Sequence, residues 1–132
     1  MRSRESAYAF MRRWRQPSAT EVLLERRSKK AALMPGMWEL PAIDPDYAPE
    51  EKKALTVRHS ITDTNYYVTI FDLGAELQRH LPKRKITRRW FPVRDLDTLP
   101  LTGLTRKVLQ RLQFWPGFEG TRSAAPLERS SL

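Results

Sequence analysis

The pattern of apolar and polar residues predicts several strands, separated by long loops, within the first hundred positions. In residues 5–15, Tyr8, Phe10 and Trp14 fall on one side of an extended strand, and the smaller Ala7 and Ala9 fall with Met11 on the other. Residues 21–27 follow a short turn, and we expect them to pair antiparallel with that first strand. The same reasoning predicts strands at residues 5–15, 21–27, 37–41, 55–61, 66–71 and 89–93.

The period changes to that of a helix after Thr102. Leu104, Val108 and Leu112 lie on one helical face, and the Thr102 hydroxyl is a suitable N-cap. This helix is expected to end near Phe114. We therefore predict an α+β fold with a mixed, mainly antiparallel sheet and a C-terminal helix. A single domain over residues 1–114 is expected, followed by a disordered tail over residues 115–132.

Composition excludes several classes of chemistry. The 132 residues contain no cysteine and two histidines, so a disulfide framework, a thiolate zinc site, an iron–sulfur cluster and a histidine-rich metal site are not expected. No apolar run approaches the roughly 20 residues that a membrane span needs. The charged N-terminus leads into no signal-peptide core. A soluble, cytoplasmic protein without a membrane partner is the expectation.

The formal charge of +9 comes from 24 Lys and Arg against 15 Asp and Glu. Charges in residues 115–132 cancel, so the whole excess belongs to residues 1–114. Basic domains favour polyanions through phosphate contacts and counterion release, which points to nucleic acid or nucleotides as partners. The alternative is that these charges only keep the protein in solution and bind no partner. The basic clusters are residues 12–15, 26–30, 83–85 and 88–89.

Several short motifs resemble a known family. Residues 22–27, followed by Met34-Pro-Gly-Met-Trp-Glu-Leu-Pro41, resemble the opening of Nudix-fold domains. Together with residues 58–62, 89–96 and 99–109, in this order, they resemble the C-terminal domain of MutY-type adenine DNA glycosylases. That resemblance implies a non-catalytic module that binds duplex DNA and recognises 8-oxoguanine in base excision repair. It also implies a separate glycosylase catalytic domain as a partner, because this chain has no room for one.

The alternative within the same fold is a divergent Nudix hydrolase acting on nucleoside diphosphate derivatives. Such enzymes hold magnesium with glutamates on one helix. Only 13 residues, 42–54, are available for it here, whereas a loop and a three-turn helix need about 20. The paired-glutamate motif is also missing. We expect the catalytic helix to be shortened or absent and predict no metal or cofactor; under the alternative, Glu39, Glu50 or Glu51 would hold magnesium.

Two groups of residues are predicted to contact DNA. In the family, the loop between the two central strands carries an aromatic residue, a hydroxyl residue and a histidine, and these positions correspond to Ile61, Thr62 and Asp63. Asp63 departs from the family's histidine, and an ordinary hairpin turn is an equal alternative. The predicted lesion-binding residues are His59, Ser60, Ile61, Thr62, Asp63 and Thr64. The predicted phosphate-binding residues are Lys29, Lys30, Lys83, Arg84 and Lys85.

Overall fold

The computed structural model describes residues 2–15, 19–28, 35–74, 81 and 86–118. The strands are β1 (Arg2–Phe10), β2 (Arg12–Arg15), β3 (Ala19–Arg26), β4 (Trp38–Glu39), β5 (Ala42–Ile43), β6 (Lys53–Ile61), β7 (Thr64–Asp72) and β8 (Arg88–Pro92). The α-helix, α1, covers Gly103–Arg111, and 3-10 helices cover Pro45–Tyr47, Glu50–Lys52 and Val93–Thr98. The predicted α+β class is confirmed.

The strands form two sheets. The hairpin sheet has the order β5-β1-β7-β6, and the β3 sheet contains β2, β3, β4 and β8. β3 is the central strand of the second sheet, since it pairs antiparallel with each of the other three. Only β1 and β7 pair in parallel among the named strands. The architecture is therefore mixed and mainly antiparallel, as the sequence predicts.

The strand predicted for residues 5–15 is in fact two strands in two sheets. The chain passes from one sheet to the other at Met11, which is fully buried. The Phe10 carbonyl accepts from the Leu73 N–H at 3.1 Å, and the Met11 carbonyl accepts from the Leu23 N–H at 3.0 Å. The predicted antiparallel pairing with the next strand therefore holds for β2 alone, because β1 pairs in parallel with β7.

Two apolar clusters hold the fold together. The larger one includes side chains from both sheets, with α1 packed against them, and its Phe10 and Phe114 rings meet edge to face at 4.9 Å. The smaller cluster combines residues of β1, β3 and β7 that point to the opposite side of the strands with residues from the adjoining connections. Its members are Ala7, Ala9, Met11, Leu23, Phe71, Leu73 and Leu81.

The helix α1 begins where the sequence predicts. The Thr102 hydroxyl accepts from the Thr105 N–H at 3.3 Å, so Thr102 is the N-cap. The helix ends at Arg111, slightly before the predicted Phe114. Trp115 is buried and Phe118 packs against the larger cluster, so the folded part reaches residue 118. The predicted tail disorder stays a prediction, because residues 119–132 lie outside the described part of the chain.

The segment 42–53, where a Nudix hydrolase would carry its helix, contains β5 and two short 3-10 helices. Asp44 caps the first of these by accepting from the Asp46 N–H at 2.9 Å. Pro45 and Pro49 each precede or start a turn and interrupt any longer helix. This fully described segment contains no α-helix, as predicted. The basic loops at 29–34 and 82–85, and the segment 75–80, lie outside the described residues.

Candidate functional site

The predicted lesion-binding residues come together at the tip of the β6–β7 hairpin. The strands pair from Ile61 opposite Thr64 back to Val57 opposite Val68, which leaves a two-residue turn at Thr62 and Asp63. Behind the turn, the Ser60 hydroxyl donates to the Asn65 side-chain oxygen at 2.6 Å. The predicted loop is therefore a two-residue hairpin turn, and its role in recognition stays a prediction.

Thr62 has a strained backbone. Its φ is +51°, in the left-handed region that a β-branched residue rarely adopts. Its hydroxyl donates to the neighbouring Ile61 carbonyl at 2.6 Å. Thr62 and Asp63 are both exposed. Strain of this kind persists where the surroundings enforce it, and it is found preferentially at functional sites.

An open cavity of about 180 Å³ lies on the inner side of the hairpin. It is bounded by β1, by both hairpin strands, by the start of α1 and by residues next to the β3–β4 pairing. The lining residues are Ser6, Tyr8, Arg27, Glu39, His59, Ile61, Tyr66, Val68, Thr102 and Leu104.

Strand alternation divides the predicted residues into two sets. His59 and Ile61 line the cavity, whereas Ser60 lies between them and points to the other face of the hairpin. Thr64 is buried at the base of the turn. Only His59 and Ile61 therefore reach the cavity, and Thr62 and Asp63 remain available at the exposed tip.

One wall of the cavity carries a charged pair. Arg27 Nη1 lies 3.2 and 3.1 Å from the two carboxylate oxygens of Glu39. Burial, followed by the negative charge of Glu39, raises the pKa of Tyr8 to about 12. Tyr8 is therefore a neutral phenol at pH 7 and offers both a donor and acceptors at the cavity wall.

His59 presents a neutral ring to the cavity. Burial and then the charge of Lys107 lower its pKa below the ordinary 6.5. Lys107 is held nearby because its Nζ donates to the Arg58 carbonyl at 2.9 Å. The imidazole also packs near the first residue of α1, since a Cβ added to Gly103 would lie 3.9 Å from His59 Cε1.

The acids proposed for the hydrolase alternative lie in two different places. Glu39 lines the cavity and is paired with Arg27, whereas Glu50 forms a surface pair with Lys53 at 2.8 Å. Glu51 is exposed in the same 3-10 helix as Glu50. Within the described ranges, no group of three or more His, Asp or Glu side chains is placed to hold a metal ion.

Several residues that line the cavity were not predicted from the sequence. The predicted phosphate-binding residues, in turn, fall in parts of the chain that the structure does not describe. Tyr8 lies in β1 and reaches the hairpin through the parallel β1–β7 pairing, whereas Arg27 directly follows β3. Tyr66 carries a local signal, because it lies opposite His59 across the hairpin. The predicted phosphate-binding residues Lys29, Lys30, Lys83, Arg84 and Lys85 lie outside the described residues, so their role stays a prediction.

No protein-family model matches this sequence, and no curated protein matches it either. Solved structures do match it. A Nudix hydrolase from M. smegmatis, RenU, is 20% identical with a TM-score of 0.56, over 93% of this chain and 88% of the other. The C-terminal domain of mouse MUTYH, solved with human PCNA, is 18% identical with a TM-score of 0.55, over 90% and 89%.

A third similar protein is NrtR from Shewanella oneidensis. Its Nudix domain, solved with ADP-ribose, is 18% identical with a TM-score of 0.54, over 85% of this chain and 87% of that domain. NrtR was also solved with a 27-mer DNA; that match is 17% identical with a TM-score of 0.55, over 82% and 59%. At these identities the matches show the fold alone, so the chain has a Nudix-like fold. Among the described helices, none is long and apolar enough to cross a membrane.

Proposed function

We propose that this domain is a non-catalytic module of base excision repair that binds duplex DNA and recognises 8-oxoguanine. One observation carries the proposal: the chain places exposed hydrogen-bonding groups on a strained hairpin tip, directly beside a cavity. Two further observations support it, namely the net charge of +9 and the fold shared with the MUTYH C-terminal domain. A separate glycosylase catalytic domain supplies the base-removing chemistry.

The hairpin tip is suited to select a hydrogen-bond donor. The Thr62 hydroxyl donates its hydrogen bond to the Ile61 carbonyl, so the lone pairs of its oxygen remain available to accept a hydrogen bond. The neighbouring Asp63 carboxylate is exposed and is also an acceptor. Unmodified guanine has an acceptor at N7, whereas 8-oxoguanine has an N7–H donor. Two adjacent acceptors therefore favour the oxidised base and disfavour the normal one.

The cavity gives the recognised base a place to lie. Tyr8 and Tyr66 offer aromatic surface, and the neutral ring of His59 offers one donor and one acceptor. The arrangement of acidic residues favours binding without hydrolysis. The charge of Glu39 is neutralised by Arg27, and the segment 42–53 contains no α-helix on which glutamates could converge. Affinity comes from phosphate contacts of the basic surface, which makes binding salt-dependent.

The test compares two matched variants on two duplexes. Fluorescence anisotropy would measure binding to otherwise identical duplexes, with 8-oxoguanine or guanine opposite adenine, at two salt concentrations. Asp63→Asn and Asp97→Asn each remove one exposed negative charge. We expect Asp63→Asn to lower the preference for 8-oxoguanine about 3- to 10-fold, the size of one hydrogen bond, and Asp97→Asn to keep it.

The controls separate the parts of the proposal. Equal affinity of the wild-type domain for the two duplexes would overturn lesion recognition. Binding that does not weaken with salt would overturn the DNA contact altogether. A preference that survives in Asp63→Asn would remove the role assigned to the hairpin tip.

A divergent Nudix hydrolase is the second candidate, and the charged cavity wall favours it. Arg27 and Tyr8 are placed where a nucleotide could bind, and a fold neighbour was solved with ADP-ribose. Its test is magnesium-dependent release of phosphate or pyrophosphate from a panel of nucleoside diphosphate derivatives. Loss of that activity in Glu39→Gln, Glu50→Gln or Glu51→Gln would support it, and unchanged activity would discard those roles.

A further inference from the structure

Six arginines in and beside the β3 sheet, among those whose side chains the structure describes, fall into two groups. In the first group, each guanidinium forms an ion pair with a carboxylate, and these arginines are partly buried. Their charges are therefore compensated within the fold. The pairs are Arg12 with Asp72 at 3.0 Å, Arg13 with Glu21 at 2.8 Å, Arg27 with Glu39 at 3.1 Å and Arg88 with Glu25 at 3.1 Å.

Arg26 and Arg89 form the second group. Both are exposed, and within the described part of the chain neither has a carboxylate at ion-pair distance. Each guanidinium lies over an aromatic ring, as those of the ion-paired Arg12 and Arg13 also do. Arg26 Cζ is 6.0 Å from the Trp38 ring centre, and Arg89 Cζ is 5.7 Å from that of Phe91. The two rings pack edge to face at 4.9 Å, so both arginines rest on one aromatic support.

The strand register places the two arginines on the same face of the β3 sheet. Arg89 lies opposite Leu24, and the Arg26 N–H donates to the Thr87 carbonyl at 2.9 Å. Arg26 and Arg89 are therefore diagonal neighbours, whose Cβ atoms in a regular antiparallel pair are roughly 7 Å apart. Thr87 is exposed beside Arg26 and adds a hydroxyl to the same face. The Arg26 guanidinium is held further by its Nε, which donates to the Gly36 carbonyl at 3.3 Å.

We propose that Arg26, Arg89 and Thr87 form a site for one phosphodiester of the DNA backbone; this inference rests on the proposed DNA binding. A guanidinium binds phosphate through its fork of N–H donors while its face remains stacked on a ring. The aromatic support restricts the arginine rotamers before binding, which lowers the entropy lost on contact. The site positions the duplex and reads no base, unlike the hairpin tip.

The salt dependence of duplex binding tests this site. Each phosphate contact contributes about −0.9 to the slope of log K against log salt concentration. Because both arginines bind one phosphate, we expect the double variant, Arg26→Gln with Arg89→Gln, to reduce the magnitude of the slope by about 0.9, and each single variant to reduce it by part of that amount. The preference for 8-oxoguanine should stay unchanged. Arg111→Gln, at an exposed arginine in the last turn of α1, removes the same charge and should leave the slope unchanged.

Further variants separate charge from folding and DNA from free nucleotides. The double change of Arg26 and Arg89 to lysine should retain most of the slope, because lysine keeps the charge, and thermal unfolding should show all variants folded. A slope that is unchanged in the double glutamine variant, with wild-type DNA binding intact, overturns the site and leaves the proposed function standing. Absence of DNA binding by the wild type overturns both. Loss of ADP binding in that variant, with duplex binding unchanged, would assign the site to a free nucleotide and overturn the DNA contact.

Discussion

The β6–β7 hairpin and the segment 42–53 differ in regular structure and in burial. The hairpin has two nine-residue strands whose inward side chains, including Val57, Val68 and Ile70, are buried in the core. The segment 42–53 has two short 3-10 helices, and its acidic residues are exposed. In a Nudix hydrolase the second region would carry the catalytic helix. Here the hairpin is the longer regular structure of the two, and under the proposed function it is the element that contacts a base.

The sequence accounts for this contrast. β-Branched and aromatic residues fill the hairpin strands and suit a half-buried, pleated surface. In the segment 42–53, Pro45 and Pro49 remove backbone donors, and Asp44 bonds to the backbone instead of extending a helix. These residues therefore favour short turns over a longer helix in that stretch, and the contrast can be tested by mutation.

The largest expected effect is on the stability of the hairpin. Ile70 is fully buried, so Ile70→Ala should lower the free energy of unfolding by about 2–5 kcal/mol through lost burial and a residual cavity. Glu50→Gln, in the segment 42–53, breaks only an exposed ion pair and should cost less than about 1 kcal/mol. Denaturant unfolding monitored by tryptophan fluorescence would measure both, and similar losses for the two variants would contradict the contrast.

A smaller effect, opposite in sign, is expected at the hairpin tip. Thr62 has a φ of +51°, and asparagine tolerates this conformation better than a β-branched residue does. Thr62→Asn should therefore raise the free energy of unfolding by about 0.5–1 kcal/mol while weakening the preference for 8-oxoguanine. The same change at Thr56, an exposed and regular strand position, should destabilise the domain. Destabilisation by both substitutions would show that Thr62 holds no strain.

Local patterns were sufficient to predict the hairpin, the N-cap of α1 and the missing helix. The hairpin follows from period-two alternation around a polar turn, and Thr102 caps α1 through a contact only three residues away. The passage between sheets at Met11 was not predictable, because strand alternation continues on both sides of it. Neither was the cavity, because Tyr8 reaches it through the pairing of β1 with β7, whose residues are far apart in sequence. The spacing of apolar residues predicts which face of a strand is buried, whereas the identity of the strand that pairs with it depends on the whole fold.

The smallest expected effect is the titration of His59 in the hairpin. Burial and then Lys107 lower its pKa below 6.5, so the folded protein binds this proton less readily than the unfolded chain does. Stability from this group is therefore fully present above pH 6.5, and it is lost as pH falls from 6.5 through the lower pKa of the folded state. An NMR titration of the imidazole should show the depressed pKa, and Lys107→Gln should move it back towards 6.5 because one of the two causes is removed. A pKa of His59 at or above 6.5 in the wild type would show that the ring is not packed against α1 at the cavity, and an unchanged value in Lys107→Gln would leave burial as the sole cause.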